Sequence, residues 1–344
     1  MPEDEERLQE DELLKVDNVS KYYAVEKGIL HRAVGRMKAV DSVSLTVKSG
    51  ETLGLVGESG CGKTTTARMI LRVVDPSSGS IFFRASNGET LDITRLKGAR
   101  LRLIRKDIQM IFQDPYSSLN PRMRVKDIVT EPLIAQHRNE KTRRERAEAL
   151  LDLVGLSKEQ MMRYPHAFSG GQRQRIGIAR ALAINPSLVI CDEPVSALDV
   201  SIQSQILNLL KSLQDRLGLT YVIIAHDLSV IRYISDEVAV MYLGSIVEFG
   251  AAKRLFSRPL HPYTAMLMRA IPLPDPHRKW EAVKIVGEVP DTTREIVGCP
   301  FASRCDYVID RCRKEKAPLV TVFPEESAAA AACFRARELE LPGV

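Results

Sequence analysis

Aromatic residues are scarce in this 344-residue chain, 6% of positions with a single tryptophan, and long apolar runs are missing altogether. The longest, such as residues 219–225, falls far short of the roughly eighteen residues that a bilayer-crossing helix requires. The opening text, MPEDEERLQEDE, is acidic and lacks the basic-then-apolar order of a secretion signal. The expectation is a chain that neither spans nor crosses a membrane by itself, with the cytoplasm as default compartment and any membrane association made through a partner. An excess of charge of one sign is also missing, since 49 basic and 44 acidic residues leave a net value of only +5. Basic clusters at 97–106 and 138–146 read as solvated helix faces, the second being interrupted by acidic residues. A nucleic-acid surface needs a concentrated basic patch with stacking aromatics, so no nucleic-acid partner is expected.

A hydrophobic fraction of 44% and a charged fraction of 27% are those of a soluble globular protein. The length suits one large domain with a smaller one, or two ordinary domains. Of the six cysteines, Cys61 and Cys191 lie in segments with other reasons to exist, whereas Cys299, Cys305, Cys312 and Cys333 crowd towards the end. Without a secretion signal, that cluster suggests metal before disulfides.

Along the chain, residues 13–23 read as a strand, 24–38 as a loop of unusual length, and Val43, Leu45 and Val47 as the buried face of a second strand. An apolar run at 52–56 leads into a glycine loop, and a helix starting near Lys63 places Ala67, Ile70 and Leu71 on one face. Residues 114–180 form a helical insertion without a convincing strand. After it come a strand at 188–191, a helix with Ile202, Ile206, Leu209, Leu213 and Leu217 on one stripe, ending before Gly218, and a strand at 221–225. Strands alternating with helices predict an α/β fold with a mostly parallel sheet. A hairpin is expected over 238–249 around Gly244-Ser245. From residue 258 the text turns proline-rich and reads as an extended linker, and the alanine run 328–332 reads as helical.

The chemistry begins with Gly57-Glu58-Ser59-Gly60-Cys61-Gly62-Lys63-Thr64, a full match to the phosphate-loop pattern, with Thr65 beside it. Glycines let backbone N–H groups turn inward as an anion nest, and the following helix presents its positive end to phosphate. Lys63 suits bridging the β- and γ-phosphates, and the Thr64 hydroxyl suits Mg2+. Leu188-Val189-Ile190-Cys191-Asp192-Glu193 describes a buried strand ending in two carboxylates. Open α/β sheets place ligands at that end of a strand. Asp192 suits the magnesium shell and Glu193 the general base for water. A surface acidic pair ending a strand is the plain alternative.

Phe168-Ser169-Gly170-Gly171-Gln172 resembles the signature sequence of ATP-binding-cassette (ABC) ATPases, with phenylalanine at an apolar position usually held by leucine. Around it, in family order, Gln113 resembles the Q-loop glutamine, Ser196-Ala197-Leu198-Asp199 the D-loop, and His226 the switch histidine. Tyr23, with Tyr22 as alternative, stands where the family stacks adenine. The resemblance implies a P-loop NTPase fold with an antiparallel β-subdomain and a helical subdomain, ATP hydrolysis, and a head-to-tail dimer. In that dimer the phosphate loop of one subunit and residues 169–172 of the other sandwich each ATP.

Within the family, residues 108–123 and His261-Pro262-Tyr263-Thr264 resemble the F-type ATP-binding subunits of oligopeptide and dipeptide importers. That resemblance implies two transmembrane permease subunits, a second ATPase subunit (a non-identical D-type sibling), an extracytoplasmic solute-binding protein, and a peripheral place at the cytoplasmic membrane face. It also implies an organisation of acidic leader 1–11, ATPase domain 12–255 and C-terminal extension 256–344. Related systems carry nickel or sugars, so the solute stays open. The four late cysteines resemble a set associated with a [4Fe-4S] cluster; Zn2+ and unligated thiols are the alternatives. Rival classes are a soluble cassette ATPase acting on ribosomes or DNA, against which the single cassette speaks, and a non-hydrolysing subunit, against which Glu193 and His226 speak.

Overall fold

The structure is a computed structural model that describes residues 8–27, 32–114, 116–136, 138–270, 290, 296–323 and 329–344, the side chains of 25–27 and 32–35 excepted. The chain divides into two compact units, Met1–Leu13 with Val47–Glu51 and Phe83–Ile224, and Leu14–Thr46 with Thr52–Phe82 and Ala225–Val344.

In the second unit, the strand Thr52–Val56 is buried along its whole length. It pairs in parallel with Glu237–Tyr242, from Leu53 opposite Glu237 to Val56 opposite Val240. Asp236 fixes the start of that pairing, because its carboxylate accepts the Thr52 N–H at 2.8 Å while its own N–H donates to the Thr52 carbonyl at 2.9 Å. The hairpin expected around Gly244 joins Glu237–Tyr242 to Ser245–Ala251. Both turn residues, Leu243 at φ 43° and Gly244 at φ 83°, take the left-handed backbone that matches strand twist in a two-residue turn.

Three expectations change in this unit. The alanine run is a strand, Ala329–Ala331, paired antiparallel with Ser245–Ala251 on one side and Val320–Phe323 on the other. Two flanking ladders outweigh alanine's helix preference, and Ala329 and Ala331 are fully buried in them. The long loop shrinks as well. Strands Glu12–Lys27 and Arg32–Lys48 are neighbours in one sheet, with Ser78–Arg84 next to the first. Tyr23, Ala24, Arg36 and Met37 are exposed there, and neighbouring residues that are both exposed leave no alternating pattern to read. The stretch read as linker holds a helix, Pro262–Arg269, with proline at its first turn and the His261 ring accepting the Tyr263 N–H at 3.1 Å. Proline fits that position because the first N–H groups of a helix have no partner inside it. Pro272, Pro274 and Pro276 lie outside the described residues.

In the first unit, strands Ile108–Ile111, Leu188–Asp192 and Thr220–Ile224 run parallel. Between the first two lie helices Val125–Val129, Glu131–Ile134, Glu140–Leu153 and Gly170–Ala181. Helix Val200–Leu217 ends at Gly218 in the left-handed conformation. Its buried face is Ile206, Leu207, Leu210 and Leu213, rotated from the stripe read off the sequence; Leu217 is 47% exposed.

Candidate functional site

Strand Thr52–Val56 delivers the glycine loop at its C-terminal end, and helix Lys63–Ile70 follows it. Two glycines are forced there. A Cβ on Gly57 (φ 148°) would stand 2.2 Å from the Met241 carbonyl oxygen, and one on Gly62 (φ 108°) would stand 2.5 Å from that of Ala39. Lys63 is buried and folds back over its own loop, its Nζ donating to the carbonyls of Gly57 at 2.7 Å and Glu58 at 2.9 Å. Ser59 and Gly60 are exposed, and Thr64 and Thr65 are half-buried in the first helical turn. Burial pushes the Cys61 thiol up, against the pull of the neighbouring Lys63 ammonium. The loop is therefore an ordered ring of backbone around one ammonium, with a helix start beside it, which is the arrangement an anion requires.

The carboxylate pair ends strand Leu188–Asp192. Asp192 is buried and Glu193 half-buried. Glu193 has φ 47°, an uncommon conformation for a residue with a side chain. Its N–H donates to the Ile224 carbonyl at 2.9 Å, and its carbonyl accepts the N–H and hydroxyl of Ser196. Strain of this kind persists where surrounding bonds over-determine it, and it clusters at functional sites. The exposed Gln113, just after strand Ile108–Ile111, reaches across to donate its Nε2 to Glu193 Oε2 at 2.7 Å. The structure thus brings together two residues that are eighty positions apart in sequence.

Ser169 caps helix Gly170–Ala181 in the same unit through a reciprocal box: its hydroxyl accepts the Gln172 N–H, and Gln172 Oε1 accepts the Ser169 N–H at 3.1 Å. Gly171 is required by packing, since a Cβ there would lie 2.5 Å from Cγ2 of Ile202. Phe168 is buried, so the departure from leucine falls on a position that needs bulk rather than polarity. Asp199 stands at the N-cap position of helix Val200–Leu217, without a side-chain bond to it, and is exposed, while Gln203 Nε2 holds the preceding turn through the carbonyls of Val195 and Leu198.

In the second unit, Tyr23 is exposed with the Lys21 ammonium 5.3 Å from its ring centre, whereas the Tyr22 hydroxyl donates to Asp41. His226 is exposed, one residue before the helix-capping Asp227.

Cys299, Cys305, Cys312 and Cys333 line a single small cavity, together with His261 and Tyr307. Burial pushes the thiols of Cys305 and Cys333 up to about 11. Among the described residues no three His, Cys, Asp or Glu side chains stand close enough to hold a metal ion between them.

Sequence reasoning missed the residues that hold Glu58. The Glu58 N–H donates to the Tyr263 hydroxyl at 2.9 Å. Its carboxylate accepts two bonds from Arg304, at 2.8 and 2.7 Å. The proline-flanked tyrosine was legible as part of a motif; Arg304 reads in the sequence as an offset to thiolate charge beside Cys305, and its pairing with Glu58 carried no signal, because that partner lies 246 residues away.

Residues 40–196 match the family described as ABC transporter, and residues 247–312 match the oligopeptide/dipeptide transporter, C-terminal region. The oligopeptide transport ATP-binding protein AppF of Bacillus subtilis is 47% identical, over 88% of this chain and 92% of its own length. The dipeptide transport ATP-binding protein DppF of Haemophilus influenzae is 46% identical, over 88% of this chain and 91% of its own. Among solved structures, the ATP-binding cassette MJ0796 in a dimeric post-hydrolysis state with ADP and Pi has a TM-score of 0.60 at 31% identity, covering 70% of this chain and 99% of that one. CbiO1 from Clostridium perfringens, part of the ABC transporter complex cbiONQ, has a TM-score of 0.60 at 28% identity, covering 72% of this chain and 91% of that one. The α/β fold is therefore that of an ABC ATPase cassette, and the chain belongs to the ABC transporter family as an ATP-hydrolysing subunit with an oligopeptide/dipeptide-type C-terminal region.

Proposed function

We propose that this ATPase powers the import of di- or oligopeptides through separate membrane permease subunits. The observation that carries the reading is the presence on one chain of an ordered phosphate loop, the Gln113–Glu193 pair and a C-terminal region of the peptide-transporter type. Peptide transport is the activity by which the relatives AppF and DppF are named.

In this reading residues 57–65 hold the triphosphate. Lys63 exchanges its two carbonyl contacts for phosphate oxygens, and Tyr23 stacks on adenine. Thr64, Asp192 and Gln113 are the residues offered to the Mg2+ that accompanies ATP, an ion that neutralises charge on the phosphates. Glu193 takes the proton of a water as its oxygen bonds to the γ-phosphorus and the bond to the leaving ADP oxygen breaks. Gln113 orients that water or that carboxylate, and His226 hydrogen-bonds the γ-phosphate. The exposed Ser169 start of helix Gly170–Ala181, with Gly170, Gly171 and Gln172, meets the nucleotide of a second subunit, with Asp199 beside it. Dimeric MJ0796 with ADP and Pi supports a paired arrangement. The second subunit is proposed to be a non-identical D-type sibling, and a solute-binding protein delivers the peptide. Among the described residues no helix is long and apolar enough to cross a membrane, which agrees with a peripheral place on the cytoplasmic face.

Four thiols around one cavity match a [4Fe-4S] cluster, or Zn2+, in the kind and number of their donors but not in their spacing, which is too wide to hold a metal as they stand. Such a group would supply a covalent clamp on the C-terminal region once the thiols deprotonate and close on it. Anaerobic metal analysis with a visible spectrum separates the two, and an absence of both metals removes the site.

The function itself is tested by purifying the full chain with its membrane subunits in proteoliposomes, with solute receptor and labelled peptides outside. ATP-dependent peptide accumulation supports the reading; accumulation of nickel or a sugar but no peptide overturns it.

A further inference from the structure

Glu58 poses a chemical problem inside a loop that receives a triphosphate. A carboxylate there repels the ligand's charge unless it is neutralised and turned aside. Both happen in the second unit. The Arg304 guanidinium grips Glu58 through two parallel bonds, Nη1 to Oε2 at 2.8 Å and Nη2 to Oε1 at 2.7 Å, the fork geometry that fixes direction as well as charge. Arg304 is itself buried, 7% exposed, and Nη1 also donates to the Tyr242 hydroxyl at 3.3 Å. Beneath it Tyr242, Tyr263 and Phe301 pack ring against ring, with centroids 4.5 to 5.5 Å apart. The guanidinium lies 5.8 Å from the Tyr242 ring and 5.7 Å from that of Phe301. From the same cluster the Tyr263 hydroxyl accepts the Glu58 N–H. One residue of the phosphate loop is thus held at both its backbone and its side chain by groups from residues 247–312, the region matched by the C-terminal family and not by the cassette family.

We propose that Arg304 and Tyr263 are positioning residues of the ATP site, which cancel the charge of Glu58 and fix its backbone, so that the C-terminal region sets nucleotide affinity. The inference rests on residues 57–64 being the phosphate loop. An inert tail would leave ATP binding to the cassette alone. Here, release of Arg304 turns the Glu58 carboxylate loose beside the phosphates, and the cost falls on binding rather than on the water-activating groups.

The test is a titration of the full-length protein with ATP and Mg2+, together with steady-state hydrolysis, for Arg304→Gln, Glu58→Gln and the double variant. Arg304→Gln is expected to weaken ATP affinity about tenfold, with the rate at saturation changed by less than about twofold. Adding Glu58→Gln to it removes the uncompensated carboxylate and brings affinity back to within about threefold of the starting protein, a recovery that a purely structural arginine would not give. Unchanged affinity in Arg304→Gln overturns the proposal, and so does a double variant no better than the single one. Should Arg304→Gln fail to fold, Arg304→Lys and Tyr263→Phe take its place: Lys keeps the charge without the fork, and Phe keeps the packing without the acceptor. Each is then expected to raise KM for ATP about threefold at constant kcat, and an unaltered KM in both counts against the idea. Lys63→Ala, measured alongside, tests the loop itself; if it leaves affinity intact the loop assignment fails, whatever Arg304 does.

Discussion

Gln113 Nε2 donates to Glu193 Oε2 across 2.7 Å, joining the end of one parallel strand to the end of its neighbour. The carboxylate so held belongs to a residue with φ 47°, whose main chain is fixed at both N–H and carbonyl. On the proposal that Glu193 is the general base, this bond fixes the direction of its carboxylate, which a base acting on one positioned water requires.

Replacing Glu193 with Gln preserves that shape and removes the basic oxygen. Steady-state phosphate release is expected to fall by at least about a hundredfold, while ATP affinity stays within about threefold. Normal turnover in the variant would take Glu193 out of the mechanism.

Lys63→Ala removes the ammonium that the loop encloses. Its charge-assisted contacts would pass to phosphate oxygens on binding, so affinity for ATP should drop by at least about tenfold. Calorimetric titration of the purified protein gives the answer directly, and an unaltered dissociation constant would contradict the cage assignment.

Helix Gly170–Ala181 contains two glycines that should respond in opposite directions. At Gly171 a new Cβ meets Cγ2 of Ile202 at 2.5 Å, so Gly171→Ala should destabilise by about 1–3 kcal/mol. At Gly177 a Cβ meets nothing within 4 Å, and Gly177→Ala should stabilise by about 0.5–1 kcal/mol through helix propensity. Chemical denaturation of the pair checks both; equal effects would mean that the helix does not pack on Ile202 as described.

His261 gives a pH dependence whose sign can be worked out. Burial lowers its pKa from 6.5 to about 3, because the charged ring has lost its water. The unfolded chain therefore binds the proton more readily, and stability from this residue is present above pH 6.5 and lost as pH falls towards 3. The loss is at most about 1.4 kcal/mol per pH unit, the value of one proton. His261→Asn keeps an acceptor for the Tyr263 N–H without titrating, so its stability curve should be flatter than the parent's over that window. Parallel curves would mean that His261 is solvated.

Much of the site could be read from the sequence because its parts are local. Gly57, Gly62 and Lys63 sit within seven positions, and the positive φ of both glycines and the Lys63 bonds to its own loop are local, even though the carbonyls of Met241 and Ala39 also crowd the glycines. Ser169 and Gln172 cap one helix end three positions apart, so their box is local as well. Apolar patterning failed where it had nothing to report. Tyr23, Ala24, Arg36 and Met37 are exposed one after another, so their strands leave no alternation there, and Ala329–Ala331 is a strand only because chain on both sides pairs with it.

By itself, then, the sequence determined the phosphate loop, the carboxylates at the end of strand Leu188–Asp192, the capped signature helix and the α/β alternation, since each depends on neighbours a few residues away. Tertiary structure alone decided which of these residues touch. Gln113 meets Glu193 only because parallel strands end side by side, and Cys299, Cys305, Cys312 and Cys333 share a cavity only because the fold brings them there. Arg304 finds Glu58 across 246 positions for the same reason: ion pairs and packing act through space, and chain order carries no record of them.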